Sequence, residues 1–467
     1  MVCARADQHG ERMLIDDGVH AATGAEVAAL IQSKTDAYRR AGVQEAQRVG
    51  AVAWPPLEFI TDVFAVLGLG AVVVPLPRRV SPWELDRLDA VASLTHLAAA
   101  EDSPLRLGQV RASIGPRRLS SCAQHTVVDN HGAASGQLTS GTTGRQRLAL
   151  RPADALAVEA EAYSAVLGLT PDETILCPVP LHHAYGFGLC VLAATLSGTP
   201  VRYVPADRPR SLLNHMDAAG ACLVPLVPPM LRVLAKASRA RSGASEARLM
   251  TAGMPVDQRT AEMVDTALRA RLGQVYGTTE TGPICVTAPT SPDVVLRSLG
   301  PTLPGVAVRL APDPSADGAA AAPDTGLVTV SSPMAMLGYA DGAGLDTDAV
   351  TGPGFVTGDL GRITQDGLVL VGRVSNCINV AGAKVSPEEI EAVILGFPAV
   401  RSCLVHGVTD EYLGQRINAI VTPDSVDLVE LERHCAERLS PPRLPHVFKA
   451  VSTLATTEMG KVIRLSG

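Results

Sequence analysis

Hydrophobic and polar positions near the start of the chain follow a helical period and then form short apolar runs. The segment Thr23–Glu26 has the spacing of a capping box, and apolar residues recur at helical spacing over Val27–Tyr38 until Gly42 provides a stop signal. Val49–Trp54 predicts a short strand, and the continuous apolar run Ala71–Pro75 predicts a strand buried on both faces. This alternation of helices and buried strands predicts a mainly parallel sheet.

Later segments predict a second layer of strands. Ala221–Val227 and Leu272–Tyr276 have the pattern of strands in another helix-covered sheet, whereas Val306–Leu310 and Gly326–Ser331 alternate like antiparallel strands. We therefore expect an α/β fold whose large N-terminal domain, with mainly parallel sheets and helices, spans residues 1–374.

A small α+β domain is predicted over residues 375–467. Ser386, Pro387 and Glu389 provide an N-cap, a proline at the first helical position and a capping-box glutamate, so a helix is expected there. Val426–Leu439 repeats the helical pattern before a run of prolines. The length of this segment lies within the usual range for a domain.

Composition and charge exclude several classes of protein. The 467 residues carry 40 Lys and Arg against 47 Asp and Glu, a formal net charge of −7, and no segment concentrates the basic residues. We therefore expect no nucleic-acid partner. The uncharged run Thr174–Val201 is long enough to span a membrane, but its prolines would leave backbone groups unpaired in lipid, so no membrane association is expected.

The cysteines and the N-terminus indicate a cytoplasmic protein. Nine cysteines are scattered along the chain without a C-x-x-C pair, which is typical of reduced thiols and argues against structural zinc. The first residues are charged and contain no apolar stretch of the kind found in a signal peptide.

The segment Leu138–Gly144, with the sequence LTSGTTG, is the strongest chemical signal. Hydroxyl side chains interleaved with glycines allow a tight turn whose backbone N–H groups face one concavity, and such a nest binds phosphate. It is not a Walker A loop, because Thr142 stands where that loop requires lysine. Gly68 and Gly70 lack the third glycine of a Rossmann fingerprint. Taken alone, the LTSGTTG segment is also compatible with a solvated loop.

Further motifs follow the nest along the chain. They are YGTTE at Tyr276–Glu280, TGD at Thr357–Asp359, the pair Gly372–Arg373, and EMGK at Glu458–Lys461. With these motifs the sequence resembles, over nearly its whole length, the adenylate-forming superfamily of acyl-CoA and aryl-CoA synthetases, peptide-synthetase adenylation domains and luciferases. The resemblance implies a mobile C-terminal domain and a two-step reaction. A carboxylate attacks the α-phosphate of ATP, and a nucleophile then displaces AMP.

The resemblance assigns the ATP phosphates to the nest. The residues expected to hold them are Thr139, Ser140, Gly141, Thr142, Thr143 and Gly144. The family commonly continues with Pro and Lys, where this chain has Gln146 and Arg147. Arginine keeps the positive charge but presents it as a planar fork, so Arg147 is expected to bind phosphate with a different geometry.

The resemblance also assigns contacts to the nucleoside and to the metal. The expected nucleoside and metal residues are Ala252, Gly253, Met254, Tyr276, Gly277, Thr278, Thr279, Glu280, Asp359 and Arg373. Within this set, Tyr276 would stack on adenine and Asp359, supported by Arg373, would accept hydrogen bonds from the ribose. Thr279 would contact the α-phosphate, and Glu280 would coordinate Mg²⁺, which prefers carboxylate and phosphate oxygens.

The segment Pro180–Gly186 resembles the motif that lines the acid-binding pocket, with His183 at the matching position. On bare sequence, adjacent histidines in an apolar stretch are compatible with a buried core pair. Peptide-synthetase domains for α-amino acids carry an aspartate near this motif, but residues 174–204 contain none. We therefore expect a non-amino acid substrate, and the neighbouring Tyr185 and Phe187 favour an aromatic or arylacrylic one.

The C-terminal domain is expected to supply a catalytic lysine. By the resemblance, Lys461 reaches the α-phosphate and the attacking carboxylate together and stabilises the charge that develops there. Ser375 stands where the hinge residue is usually Asp or Lys. Gly382 allows close backbone approach in the second step, and Lys384 is a further phosphate-binding candidate.

These expectations define an ATP- and Mg²⁺-dependent, AMP-forming ligase of a non-amino carboxylic acid that transfers the acyl group to a thiol. The acceptor is left open between CoA, the phosphopantetheine of an acyl carrier protein, and an amine. Two alternatives stay open: a diazotase that activates nitrite for reaction with an arylamine, and a non-catalytic nucleotide-binding relative. The sequence does not distinguish a monomer from a homodimer.

Overall fold

The computed structural model describes most of the chain. The described residues are 10–103, 105, 109–114, 116–121, 130–139, 147–238, 247–256, 258–312, 325–341, 344–350, 352, 354–373, 378–381, 383–385 and 387–454.

Helices are distributed along the whole described chain. They are α1 Gly24–Arg40, α2 Pro56–Gly68, α3 Pro82–Ala92, α4 Ala153–Leu167, α5 Ala184–Gly186, α6 Ala194–Ser197, α7 Pro209–Ala219, α8 Pro228–Ala237, α9 Gln258–Met263, α10 Val294–Arg297, α11 Pro387–Leu395 and α12 Leu428–Ala436. Phe187–Ala193 and Val264–Leu268 are π-helical, and Pro441–Arg443 is a 3₁₀ turn.

Strands alternate with these helices. They are β1 Met13–Asp16, β2 Ala21–Thr23, β3 Arg48–Val52, β4 Val72–Leu76, β5 His96–Ala100, β6 Gln109–Ile114, β7 Arg117–Ser121, β8 Ala133–Thr139, β9 Arg147–Pro152, β10 Thr174–Cys177, β11 Val201–Tyr203, β12 Cys222–Leu226, β13 Arg248–Ala252, β14 Arg271–Thr278, β15 Gly282–Thr290, β16 Ala307–Ala311, β17 Gly326–Ser331, β18 Gly338–Asp341, β19 Gly344–Asp346, β20 Phe355–Thr364, β21 Gly367–Arg373, β22 Ile378–Val380, β23 Ala383–Val385, β24 Ser402–Asp410, β25 Gly414–Thr422 and β26 Val447–Ala450.

The first helix confirms the capping-box prediction. The Thr23 hydroxyl accepts a hydrogen bond from the Glu26 N–H, and the Glu26 carboxylate accepts one from the Thr23 N–H. Both bonds satisfy N–H groups that the first turn leaves without an intrahelical partner. The buried face of α1 includes Val27, Ile31 and Tyr38, the apolar positions of the sequence pattern.

Three sheets form the first unit of the chain, and they differ in strand direction. The eight-stranded sheet has the order β15-β14-β13-β12-β10-β11-β1-β2, with parallel pairing from β14 to β1 and an antiparallel strand at each edge. The nine-stranded sheet has the order β19-β18-β9-β8-β4-β3-β5-β7-β6 and is parallel from β8 to β5. The four-stranded sheet, β16-β17-β20-β21, is antiparallel.

The expectation of mainly parallel sheets therefore applies fully to the eight-stranded sheet. The nine-stranded sheet is mixed, because β5–β7 and the pairs β6–β7, β8–β9 and β18–β19 are antiparallel. Among these, β6–β7, β8–β9 and β18–β19 are joined by connections too short for the crossover that a parallel pair needs. The antiparallel pairing of Val306–Leu310 and Gly326–Ser331, predicted from their alternation, is confirmed in β16 and β17.

A buried charge cluster joins the first two helices to β7. Asp62 on α2 is fully buried and pairs with Lys34 at 2.7 Å and with Arg117 at 2.6 Å. The Tyr38 hydroxyl donates to the same carboxylate at 2.6 Å. The neighbouring cations hold the pKa of Asp62 below its usual value, even though burial alone would raise it.

A second unit contains Ser375–Gly467 together with Arg79–Ala90. Its sheet has the order β23-β22-β25-β24, with β26 parallel to β25. Helix α12 begins after Asp427, whose carboxylate accepts from the N–H groups of Val429 and Glu430. From α3, Trp83 packs against the core of this unit, and Glu84 accepts from the Ser440 N–H at 2.6 Å.

No helix in the described part of the chain is both long and apolar enough to cross a membrane.

Candidate active site

Tyr276 and Asp359, predicted from separate motifs, lie in direct contact. The Tyr276 hydroxyl donates to Asp359 Oδ2 at 2.8 Å, across 83 residues of sequence. The Asp359 N–H donates to the Thr357 hydroxyl, which in turn donates to the Val328 carbonyl. Because all three side chains are buried or nearly so, these bonds fix the carboxylate of Asp359 beside the Tyr276 ring.

The small-residue turn lies next to Tyr276 because β13 and β14 are parallel neighbours. Ala252, the last residue of β13, is in register with Val275 of β14, so Gly253 leaves the sheet next to Tyr276. Gly253 is exposed and has a φ of +83°, a conformation that glycine adopts without a steric penalty. Met254 follows it in the same turn. The structure therefore brings the predicted adenine-binding residues together.

Gly277 allows strands β14 and β15 to approach closely. A Cβ atom added at Gly277 would lie 2.5 Å from the Gly282 carbonyl oxygen, so this position has no space for a side chain. Within the turn that follows, the Thr278 hydroxyl accepts from the Thr281 N–H at 3.1 Å. Thr279 and Glu280 are therefore held in a tight turn and are half-buried there.

Glu280 is fixed by a residue that the sequence analysis did not identify. The Tyr339 hydroxyl donates to Glu280 Oε1 at 2.7 Å, and the Met336 N–H donates to the Glu280 carbonyl at 2.7 Å. Burial, and then the negative charge of Glu280, raise the pKa of Tyr339, so its hydroxyl stays protonated and donates. Both side-chain and backbone oxygens of Glu280 are thus positioned.

Arg147 lies over the ring of Tyr339. Its guanidinium carbon is 3.6 Å from the centroid of the Tyr339 ring, in the geometry of a cation–π contact. Arg147 is paired in β-sheet register with Thr139, so the two residues that flank the nest lie opposite each other. The buried Thr139 hydroxyl makes no hydrogen bond to any described residue. The chain Arg147–Tyr339–Glu280 therefore links the expected phosphate cation to the expected metal ligand.

His183 is located at the start of the helical segment that follows its motif. It is exposed, unlike a buried core histidine, and its ring lies 4.2 Å from that of His182. Gly186 is required here, because an added Cβ would lie 2.3 Å from the Pro180 carbonyl oxygen. The Tyr185 hydroxyl is buried beside the Leu226 backbone without a hydrogen bond of good geometry to a described residue.

Several predicted site residues lie outside the described residues. They are Ser140, Gly141, Thr142, Thr143, Gly144, Ser375, Gly382 and Lys461, together with the side chains of Arg373 and Lys384. The backbone of Arg373 is paired in register with Asp359 across β20 and β21. The roles of all these residues stay predictions.

The donor set fits a metal that is held jointly by protein and nucleotide. Among the described residues, no group of three or more His, Cys, Asp or Glu could hold a metal ion on its own. Glu280 offers one oriented carboxylate, and Mg²⁺ is commonly bound by one or two carboxylates together with substrate phosphates. The residues present are therefore compatible with Mg²⁺ bound to ATP.

Comparisons with known proteins agree with this geometry. The family model described as AMP-binding enzyme matches residues 3–340, and the model of the AMP-binding enzyme C-terminal domain matches residues 389–461. A 2-succinylbenzoate–CoA ligase from Bacillus licheniformis is 27% identical over 98% of this chain and 97% of its own length. A feruloyl-CoA synthase from an Amycolatopsis species is 28% identical over 98% of this chain and 96% of its own length.

Solved structures give the same result for the fold. A malonyl-CoA ligase, solved as a ternary product complex with methylmalonyl-CoA and AMP, is 26% identical with a TM-score of 0.78, covering 95% of this chain and 97% of that chain. An amide bond synthetase from Marinactinospora thermotolerans is 24% identical with a TM-score of 0.82, covering 99% of this chain and 97% of that chain. The chain belongs to the AMP-binding enzyme family and is an AMP-forming acid ligase.

Proposed function

We propose that this enzyme activates an aromatic or arylacrylic carboxylic acid as its acyl-adenylate and transfers the acyl group to a thiol. The observation that carries the activation step is the chain Arg147–Tyr339–Glu280, in which one tyrosine binds an oriented carboxylate through its hydroxyl and a cation through its ring. A carboxylate for the metal and a cation for the leaving phosphates are the groups that phosphoryl or nucleotidyl transfer requires.

Different residues of the site would bind different parts of ATP. Tyr276 and the Ala252–Met254 turn would hold adenine at the edge of the parallel sheet, and Asp359 would bind the ribose. Arg147 and the nest would hold the β- and γ-phosphates until pyrophosphate leaves. Mg²⁺, when bound, neutralises phosphate charge, and Glu280 would hold it.

The acid is proposed to bind beside the His183 segment. Exposed His183 and half-buried Tyr185 offer aromatic surface there, whereas Phe187 is fully buried in the core. The relatives named for feruloyl and 2-succinylbenzoate substrates support an aromatic acid. The absence of an aspartate from residues 174–204 argues against an amino group on the substrate.

The thiol acceptor is proposed from the relatives named as CoA ligases and CoA synthases. In the second step, the C-terminal domain, residues 375–467, would rotate relative to residues 1–374. This rotation would move Lys461 out of the active site and bring the Gly382 loop into it. The resemblance to an amide bond synthetase makes an amine the acceptor to test beside CoA.

A product assay with a panel of acids tests this proposal. The purified enzyme with ATP and Mg²⁺ is given ferulate, benzoate, 2-succinylbenzoate, malonate and, separately, nitrite with an arylamine. We expect AMP and pyrophosphate with an aromatic acid, and acyl transfer on addition of CoA. ADP as the main product would contradict acid adenylation, and turnover that requires nitrite would favour the diazotase. No turnover with any acid, despite ATP binding, would favour a non-catalytic relative.

A further inference from the structure

A buried ion pair lies beneath the turn that carries Thr279 and Glu280, and the steps above do not use it. Arg151 on β9 and Glu159 on α4 pair at 2.6 Å between Nη1 and Oε2, with side chains only 1% and 2% exposed. Arg151 also donates from Nε and Nη2 to the Met334 carbonyl, at 3.1 and 2.9 Å. All three guanidinium nitrogens of Arg151 are therefore engaged in fixed contacts.

The Met334 carbonyl connects this pair to the turn. Met334 lies in the segment Ser332–Tyr339, in which the Ser332 hydroxyl donates to the Thr281 carbonyl at 2.9 Å. The same segment supplies the Met336 and Tyr339 bonds to Glu280 described above. Arg151 thus binds the segment that holds the carbonyl groups of Glu280 and Thr281 in the turn.

The packing beside Arg151 leaves little freedom for movement. A Cβ atom added at Gly282, the residue that ends the turn, would lie 3.1 Å from Arg151 Nη2 and 2.9 Å from Met334 Cβ. The guanidinium therefore contacts the turn itself as well as the segment that supports it. A shift of Arg151 would be transmitted to Gly282 because dense interiors transmit strain.

Glu159, the other member of the ion pair, packs against the segment proposed to bind the acid. A Cβ atom added at Gly188 would lie 2.0 Å from Glu159 Oε1, so the carboxylate packs directly against the backbone of the π-helical segment Phe187–Ala193. That segment continues directly from the helical turn that begins after His183. The ion pair therefore joins the Glu280 turn to the segment proposed to bind the acid.

Stability alone does not account for an ion pair at this depth. Removing two charges from water is costly, and apolar replacements of similar volume often leave a protein as stable or more stable. We propose that Arg151 and Glu159 are positioning residues, which set the placement of Glu280 relative to the acid-binding segment. This inference rests on the proposed function of these two segments.

Paired substitutions separate positioning from stability. Arg151→Met and Glu159→Met each leave one buried charge unpaired, so both should lower the unfolding midpoint. The double variant removes both charges and keeps unbranched side chains that adapt to the cavity. We expect it to recover the part of the unfolding midpoint that the unpaired charge costs, because only the Met334 carbonyl still lacks its donor. The dissociation constant of Mg·ATP, measured by calorimetry, should stay raised by about 10- to 100-fold.

The control is Glu173→Gln, which removes a partly buried pair with Arg248 at the opposite end of β13 from Ala252. It should lower the unfolding midpoint without changing the affinity for Mg·ATP. A double Met variant that recovers both stability and Mg·ATP affinity would overturn the inference. If that variant does not fold, Glu159→Gln is compared with Glu173→Gln, and equal affinities for Mg·ATP would overturn it too.

The binding measurement keeps this test separate from the proposed function. Wild-type protein that binds Mg·ATP but supports no acid-dependent pyrophosphate exchange would contradict the proposed reaction, whereas the comparison of variants would still decide the role of the ion pair.

Discussion

Replacing Tyr339 by phenylalanine tests the central contact of the site. The substitution removes the hydroxyl that donates to Glu280 at 2.7 Å but keeps the aromatic ring beneath Arg147. A hydrogen bond to a charged group contributes about 1.5–3 kcal/mol, which corresponds to roughly 10- to 150-fold in an equilibrium constant. Glu280 is half-buried and water can replace part of the lost bond, so we expect the lower end of this range.

The assay is steady-state kinetics of acid-dependent AMP formation at varied Mg·ATP. Glu280 is expected to hold the metal both in the ground state and in the transition state, so the KM for Mg·ATP should rise about tenfold while kcat changes little. Tyr339→Leu, which also removes the ring, should raise KM further by weakening the placement of Arg147.

Tyr38→Phe is the matched control for this substitution. Tyr38 is another buried tyrosine whose hydroxyl donates to a carboxylate, Asp62, but its partners lie in the charge cluster between α1 and α2. It should lower stability and leave KM unchanged. Equal KM values for Tyr339→Phe and Tyr38→Phe would refute the positioning of Glu280 by Tyr339.

Three further substitutions address other parts of the site. Gly277→Ala places a Cβ 2.5 Å from the Gly282 carbonyl oxygen and should cost about 1–3 kcal/mol of stability, measured as a lower unfolding midpoint. Gly344→Ala is the control, because nothing lies within 4 Å of a Cβ added there, and equal midpoints for the two variants would contradict the close packing. Asp359→Asn keeps the shape but removes the charge beside Tyr276, so the KM for ATP should rise about tenfold with a smaller change in kcat; an unchanged KM would exclude a ribose contact. Lys461→Ala should lower pyrophosphate exchange about 10²- to 10³-fold while preformed acyl-adenylate is still consumed, and equal loss of both half-reactions would show that another group supplies this charge.

Local signals in the sequence predicted the elements that depend on local contacts. The capping box of α1 is set by side chains within three residues of the backbone groups they satisfy, and the helical pattern over Val426–Leu439 corresponds to α12, Leu428–Ala436. The buried strand is Val72–Leu76, whereas the pattern predicts Ala71–Pro75, so both predicted ends lie one residue too early. An uninterrupted apolar run contains no signal for where the strand begins and ends. Such patterns fix the type of an element better than its boundaries.

The contacts that build the site could not be predicted in this way. Tyr339 and Glu280 are 59 residues apart, and neither the spacing nor the residue types indicate that they meet. Arg151 and Met334 are 183 residues apart, and arginine is a residue type that is usually exposed to solvent. The π-helical segment Phe187–Ala193 has the composition of an ordinary buried helix, so its wider turn also has no sequence signal.

Strand β9 carries both arginines that position Glu280. Arg147 and Arg151 are four residues apart, so their side chains lie on the same face of the strand, about 13–14 Å apart at the usual rise per residue. Ala149 lies between them on that face, and it is in register with Tyr339. One arginine therefore packs on the tyrosine that holds the Glu280 side chain, and the other holds the segment that binds the Glu280 backbone. Since a slip of one residue would turn both arginines to the opposite face, the register of β9 with β8 and β18 sets the position of the proposed metal ligand.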